Sequence, residues 1–290
     1  MSKKWGSTNK TALHNREVVL YSYGVGLNGR KAASADKRER GGKRNRWRID
    51  ADGNFGENAM EHLNVPPANH VKVLDGQGWV GLIDHLGSES TIVNAARVSF
   101  GKITDSMTPR DVKLLEYLIE NRHTSPMEHL VFTFSVHCPL FVRGQWHRHR
   151  TWSYNEISRR YTEIDLEFYT PPKLRRQAEN NRQASVEEDD FPEGEALRGL
   201  ISDHNRVSFE LYEKLLAAGV CREQARGVLP QNMMVTFWGT VDLSNLIHFL
   251  ELRDSPHAQW EIREYARAIK TLIEPVVPNV AAYFRRKGQW

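Results

Sequence analysis

Between Gln145 and Tyr161 the chain sets four arginines, two histidines and a run of Ser, Asn and Glu into seventeen positions: Gln-Trp-His-Arg-His-Arg-Thr-Trp-Ser-Tyr-Asn-Glu-Ile-Ser-Arg-Arg-Tyr. A solvated face has no need of that mixture. If the first part is helical, Gln145 and Arg148 lie three apart on one face, so an amide and a forked cation point at one spot. Beyond the helix, Asn155, Glu156 and Ser158 can turn backbone and side-chain groups inward while Arg160 closes from the other side. Planar guanidiniums hold phosphate oxygens or an imide-like edge bidentately, and a carboxylate with an amide reads donors on a base or ribose. The chemistry predicted is recognition of an anionic, nucleotide-like ligand. His147 and His149 could serve as a metal pair, but i, i+2 side chains on a helix point apart and no third ligand stands at an obvious spacing, so no metal is expected. Ser158 has no histidine and carboxylate beside it and reads as a ligand contact, not a nucleophile.

The elements that must hold these groups are partly legible. Thr108 as N-cap and Pro109 at N1 open a helix to Asn121, with Val112, Leu115, Tyr117, Leu118 and Ile119 expected to give its apolar contacts. Leu130, Phe132, Phe134 and Val136 alternate with Val131, Thr133, Ser135 and His137, which is a strand. A helix is expected from Pro139 to about Arg148, and a strand from Ile164 to Tyr169, ended by Pro171-Pro172. Residues 175–193 look like a surface excursion. Glu195 to Ala218 is a long helix stopped by Gly219. Met233 to Val241 is β-rich, Leu243 to Leu252 helical, and Pro256 to Ile273 a further helix. The fold class expected is mixed α/β (α+β): a central antiparallel or mixed sheet packed with helices.

Composition bounds the rest. Two hundred and ninety residues with 40% hydrophobic and 26% charged side chains are ordinary for a globular protein. No run of 18 apolar residues occurs, and no apolar stretch follows the N-terminus, so membrane spans and secretion are disfavoured. Two cysteines, Cys138 and Cys221, cannot build a disulfide framework; they fit a reducing cytoplasm and are expected to be small buried hydrophobes. Residues 1–50 hold 13 Lys/Arg against 4 Asp/Glu, so the net charge of +4 is a property of the tail. We expect residues 1–66 to be a basic, largely flexible extension and 67–290 to be the functional domain. Its densest stretch, Lys37 to Arg48, is either a solvated extension or a phosphate-binding arm. Gly24-Val-Gly26-Leu-Asn-Gly29 matches the dinucleotide fingerprint G-x-G-x-x-G, but no amphipathic helix follows it, and it reads as a glycine-rich turn.

Arg148-His149-Arg150, Ser153, Asn155, Ser158, Arg160 and Tyr161 spell R-H-R-x-x-S-x-N-x-x-S-x-R-Y. That pattern is similar to the signature of the flavin-dependent thymidylate synthases (the ThyX family). The resemblance extends through His123 to His129, Arg222 to Pro230 and Leu252 to Ile262, and in all covers about residues 70–285. It implies that Gln145, Trp146, His147, Arg148, Glu156, Ile157, Ser158, Arg159, Arg160, Arg226 and Arg253 bind dUMP. It also implies that Ser125, Glu128, Arg148, His149, Arg150, Glu156, Asp242, Leu243, Ser244 and His248 bind FAD. Arg222 and Arg226 stand four apart, and one of them could pair with an acid such as Glu223; the resemblance gives Arg226 the site role. The chain departs from the family pattern at Ser125, Arg159, Asp242 and Ser244, while at His248 relatives carry Asn or His. Removing an arginine at 244 and adding a carboxylate at 242 both lower the local positive potential expected around an anionic cofactor.

The implied reaction is reductive methylation of dUMP, with methylenetetrahydrofolate as carbon donor, FAD and NADPH as reductants, and a homotetramer with sites between subunits. Neither cysteine falls in the polar motif, so activation of the pyrimidine is expected to be electrostatic, with Arg253 as the catalytic group. Two other readings stay open: a nucleic-acid-binding protein acting through the basic tail, and a pyrimidine nucleotide hydroxymethylase on the same scaffold.

Overall fold

A computed structural model describes residues 66–160, 166–179, 185–186 and 193–290. The basic extension apart from Pro66, the Gly24 to Gly29 turn, Tyr161 and the acidic stretch 187–190 lie outside the described residues.

Strands β1 (His70–Val73) and β2 (Gly78–Leu86) lead into helices α1 (Glu89–Arg97), α2 (Pro109–Glu120) and the single turn α3 (Thr124–Met127). Strand β3 (Val131–Pro139) runs directly into α4 (Leu140–Trp146), and β4 (Ser153–Glu156) follows. A two-stranded ribbon, β5 (Arg176–Gln177) with β6 (Ser185–Val186), precedes the long α5 (Gly194–Ala217) and the short α6 (Arg222–Ala225). Strand β7 (Met234–Asp242) passes without a loop into α7 (Leu243–Arg253), and α8 (Trp260–Ile273) and α9 (Pro278–Arg286) complete the set.

Five strands pair antiparallel in the order β1-β2-β3-β7-β4, as expected for the fold class. The alternation in β3 works as its spacing requires. Phe132, Phe134, Val136 and Cys138 are buried and stand opposite Val241, Gly239, Phe237 and Val235 of β7. On the other face Thr133 meets Thr240 through a hydroxyl pair at 3.0 Å, and His137 Nδ1 meets Thr236 Oγ1 at 2.8 Å. One face is thus apolar and the other carries these two cross-strand polar pairs. Helix α8 packs on β1 and β2 and touches both α4 and α7. The site-bearing ends of α4 and α7 therefore rest on the same rigid layer.

Local signals hold where their chemistry is local. Thr108 caps α2 in a reciprocal box, its N–H donating to Asp111 Oδ2 at 2.8 Å, with Pro109 at N1. Gly219 takes φ +86° just past α5, a conformation that costs a residue with a Cβ but not glycine. Three expectations need correction. Helix α8 begins at Trp260, not Pro256, because Ser255 folds the chain locally, accepting from His257 N and Ala258 N. The expected strand at 164–169 leaves, in its described part, one bridge between Phe168 and Met233; Pro171 and Pro172 have no N–H to carry a ladder further. Cys138 is buried, but Cys221 is exposed at the N-cap of α6. Strand β2 gave little sequence signal because Gly78 and Gly81 interrupt it, yet a glycine is required. A Cβ at Gly78 would collide with Tyr265 Oη, which is fully buried and donates to His137 O at 2.6 Å. Gly78→Ala is expected to cost about 1–3 kcal/mol of stability, read from the midpoint of urea unfolding.

Among the described residues no helix is long and apolar enough to cross a membrane.

Candidate active site

The turn from α4 to β4 carries the motif, and the end of α7 meets it from the side. Tyr154 Oη lies 3.1 Å from the Trp146 carbonyl and 2.9 Å from that of His149, and its one proton, shared between them, ties the turn to β4. The tied turn presents Arg148 and Arg150 outward on either side of a buried His149.

Arg253, the last residue of α7, closes on this turn. Its Nε donates to His149 Nε2 at 2.9 Å and its Nη2 to the Gln145 carbonyl at 3.2 Å. Burial, then the nearby Arg148 charge, lower its pKa, but a guanidinium remains protonated. His149 is pushed down to about 4, first by burial and then by the charges of Arg253 and His248. Its ring rests against Phe249 at 4.9 Å. A neutral imidazole accepts at Nε2 only if Nδ1 holds the proton, so Arg253 selects the tautomer. Gln145, Arg148, His149, His248 and Arg253 are thereby brought together from two helix ends about a hundred residues apart in sequence.

Glu156 lies on β4 and is gripped by a residue the sequence reading overlooked. Arg143 Nε lies 2.6 Å from its Oε2 and Nη2 donates to its Oε1 at 3.1 Å. The only signal for Arg143 was its place one turn before Trp146 on α4. This fork holds the carboxylate at the sheet edge.

Several expected contacts are placed elsewhere. The Trp146 ring is 0% exposed, wedged among Trp152, Phe237, Phe249 and Tyr265 at 4.8–5.9 Å between centroids, so its side chain is core rather than a ligand contact. Leu243 is likewise fully buried; what it contributes is its N–H, donated to Leu130 O at 2.8 Å. His147 stacks on Tyr154 at 4.2 Å, away from His149, and burial with Arg143 pushes it down to about 4. Ile157 is half-buried and its N–H pairs with Thr236 O. Ser158 Oγ accepts from the Arg160 N–H, Arg159 is buried and Arg160 exposed.

Asp242 explains one departure from the family pattern. It is the N-cap of α7, with Oδ1 accepting from Asn245 N at 2.9 Å and Oδ2 from Asn245 Nδ2 at 2.6 Å. Its carboxylate is turned into the helix start, where a negative charge is favoured. Asp242→Asn is expected to keep the cap, leaving thermal stability nearly unchanged, whereas Asp242→Ala should cost about 1 kcal/mol, both read by thermal unfolding. Ser244 and His248 follow one helical turn apart on α7, and Ser125 and exposed Glu128 sit on and after α3, which packs on α7. Arg226 stands apart from this cluster, exposed in a 3-10 turn that packs on α5 and α6.

The histidines make stability depend on pH in a defined direction. Both folded values lie below the ordinary 6.5, so between pH 6.5 and about 4 the unfolded chain binds more protons than the folded one. Stability is therefore present above that window and lost as pH falls through it. Protonated His149 would also face Arg253 donor to donor. The melting temperature is expected to fall from pH 6.5 to 4, and less steeply in His149→Gln.

Residues 81–279 match the family described as Thymidylate synthase complementing protein. The chain is 48% identical over 214 residues to the flavin-dependent thymidylate synthase of Thermus thermophilus, covering 74% of this chain and 77% of that one. It is 44% identical over 208 residues to the enzyme of that name from Thermosipho melanesiensis, covering 71% and 90%. A solved structure of the UMP/dUMP methylase PolB from Streptomyces cacaoi, bound with 5-Br dUMP, superposes with a TM-score of 0.66 at 32% identity, over 73% of this chain and 96% of the other. With this match spanning the turn, both helix ends and the sheet beneath them, the chain belongs to the flavin-dependent thymidylate synthase family.

Proposed function

We propose that this protein converts dUMP to dTMP by reductive methylation, with methylenetetrahydrofolate as carbon donor and FAD and NADPH as reductants. The observation that carries the reading is the Arg253 guanidinium joined to the Gln145 carbonyl and to His149 of the R-H-R signature. Family membership and the likeness to a dUMP methylase support it.

The chain's own groups fit the chemistry. Arg253 uses Nε and Nη2 on the protein, and a guanidinium has five N–H donors, so it can also face the imide edge of a uracil. Fixed and partly desolvated, it would stabilise negative charge spreading over N3 and O4 and so make C5 nucleophilic; it cannot act as a base. No thiol is needed. Cys138 is sealed in the core, where burial drives its pKa well up, and Cys221 lies on α6 outside the motif. Arg148, Arg160 and Arg226 are the groups we assign to the substrate's phosphate and sugar, with Glu156 steadied by Arg143 for a donor on the nucleotide.

The donor set also fits a flavin dinucleotide. Exposed Arg148 and Arg150 supply the positive potential an anionic pyrophosphate needs, and Asp242 spends both oxygens on Asn245. Ser125, Glu128, His149, Ser244 and His248 are the further contacts we assign to it. When bound, the reduced flavin supplies the hydride that completes the methyl group, and NADPH re-reduces it. Arg226, exposed in the 3-10 turn against α5 and α6, is assigned to a site shared between subunits of a homotetramer; the compartment that suits the free cysteines is the cytoplasm.

The test is direct. The purified protein should be yellow, bleach with NADPH in the absence of oxygen, and yield a product from dUMP whose mass shows one added methyl with one NADPH consumed. A hydroxymethyl product without NADPH oxidation, or a colourless protein that cannot be loaded with FAD, overturns the reading.

A further inference from the structure

The side-chain amide of Gln145 is attached to a chain of hydrogen bonds that runs away from the turn. Gln145 Nε2 donates to Gln259 Oε1, Gln259 Nε2 donates to Glu261 Oε2 at 2.8 Å, and Glu261 Oε1 takes Arg175 Nη2 at 2.6 Å. Glu261 is 3% exposed, and Arg175 is itself held by Ser185 Oγ at 3.0 Å and over the Trp260 ring at 4.9 Å. None of these three partners belongs to the signature motif.

The order of atoms in this chain is dictated by its far end. A carboxylate paired with arginine accepts and does not donate, so Gln259 must turn its NH2 group to Glu261 and its oxygen to Gln145. Gln145 must then meet Gln259 with its own NH2. An isolated amide has two nearly equivalent orientations; this one has a single orientation, with Nε2 committed to Gln259. The backbone of the same residue is fixed independently by Arg253.

We infer that Gln259 is a positioning residue that sets the polarity of the Gln145 amide, so that the substrate meets an acceptor there and must supply a donor. The inference rests on the proposed dUMP reading and deepens it. Two groups of dUMP could be that donor, the base N3–H and the ribose 3′-hydroxyl.

Two variants of the full chain, loaded with FAD, test this. Gln259→Met keeps the length but removes the polarity. Gln259→His keeps, as a neutral ring, an acceptor for Gln145 Nε2 and a donor for Glu261. The side chain of Gln259 makes no capping bond to α8, so neither change removes a cap. Affinity for dUMP, its N3-methyl analogue and its 3′-deoxy analogue is measured by titration of the flavin absorbance, with thermal unfolding as a check of the fold.

Gln259→Met should weaken dUMP by about fivefold to tenfold, as for one neutral hydrogen bond. Gln259→His, measured at pH 8 where the ring is neutral, should recover most of that loss. In wild-type protein one analogue should bind worse than dUMP, naming the donor, and that penalty should shrink in Gln259→Met. Equal losses in both variants would mean packing alone, and dUMP affinity within twofold of wild type in folded Gln259→Met would mean no role; either overturns the inference. A wild-type protein that binds neither FAD nor dUMP instead defeats the functional reading.

Discussion

Replacing Arg253 with alanine is expected to lower kcat for dTMP formation by about 10²–10³-fold, the usual consequence of deleting one preorganised donor that faces developing charge. The flavin should remain bound, because the cationic pair Arg148 and Arg150 and the helix start at Asp242 are untouched. The substitution removes more than a charge. It also leaves His149 Nε2, in a buried ring, without its donor, so a stability loss of about 1 kcal/mol should accompany it. Arg253→Lys separates the two effects. An ammonium restores the charge but cannot send one N–H to His149 and another to Gln145 in the fixed geometry of the fork, so activity should stay low. Stopped-flow reduction and single-turnover product formation check this. Normal flavin reduction with failed dTMP formation is the expected pair of results, and near-wild-type turnover in Arg253→Ala would sink the assignment.

Trp146→Ala should give the largest stability effect of any single change, about 3–5 kcal/mol, since a fully buried indole at the meeting of β7, α4, α7 and α8 is removed. Trp146→Phe should cost clearly less. Its Nε1 is buried without a hydrogen-bond partner among the described residues, so exchanging the indole for a benzene ring sheds an unsatisfied donor along with some contact area. The Phe variant should bind dUMP like wild type if the ring is core. Denaturant unfolding followed by nucleotide titration decides it; a Phe variant that folds normally but loses dUMP would return Trp146 to the ligand.

These two residues show why the motif was readable and its workings were not. Arg148 to Tyr161 is contiguous, so its density of forked donors and short polar groups appears in one dimension. In the stretch that begins at Gln145, Trp146 and Arg148 look equally suited to a ligand. Only the packing of α4 on α8 and β7 sends one inward and the other out. Asp242 read as a misplaced charge beside an anionic cofactor; the bond to Asn245 makes it the cap of the helix expected from Leu243.

What the amino-acid order determined by itself was the chemistry available: a dense cluster of arginines with short polar groups, no cysteine within it, a capped helix at Thr108, and strand β3 with one apolar face. These depend on neighbours within a few positions, where helix and strand periods act directly. Tertiary structure decided which groups act on one another: Arg253 on His149, Arg143 on Glu156, and the Arg175, Glu261 and Gln259 line behind Gln145. Such pairs are separated by up to a hundred and fourteen residues in one case, and hydrogen-bond partners at that range are chosen by sheet order and helix packing, which no local pattern encodes.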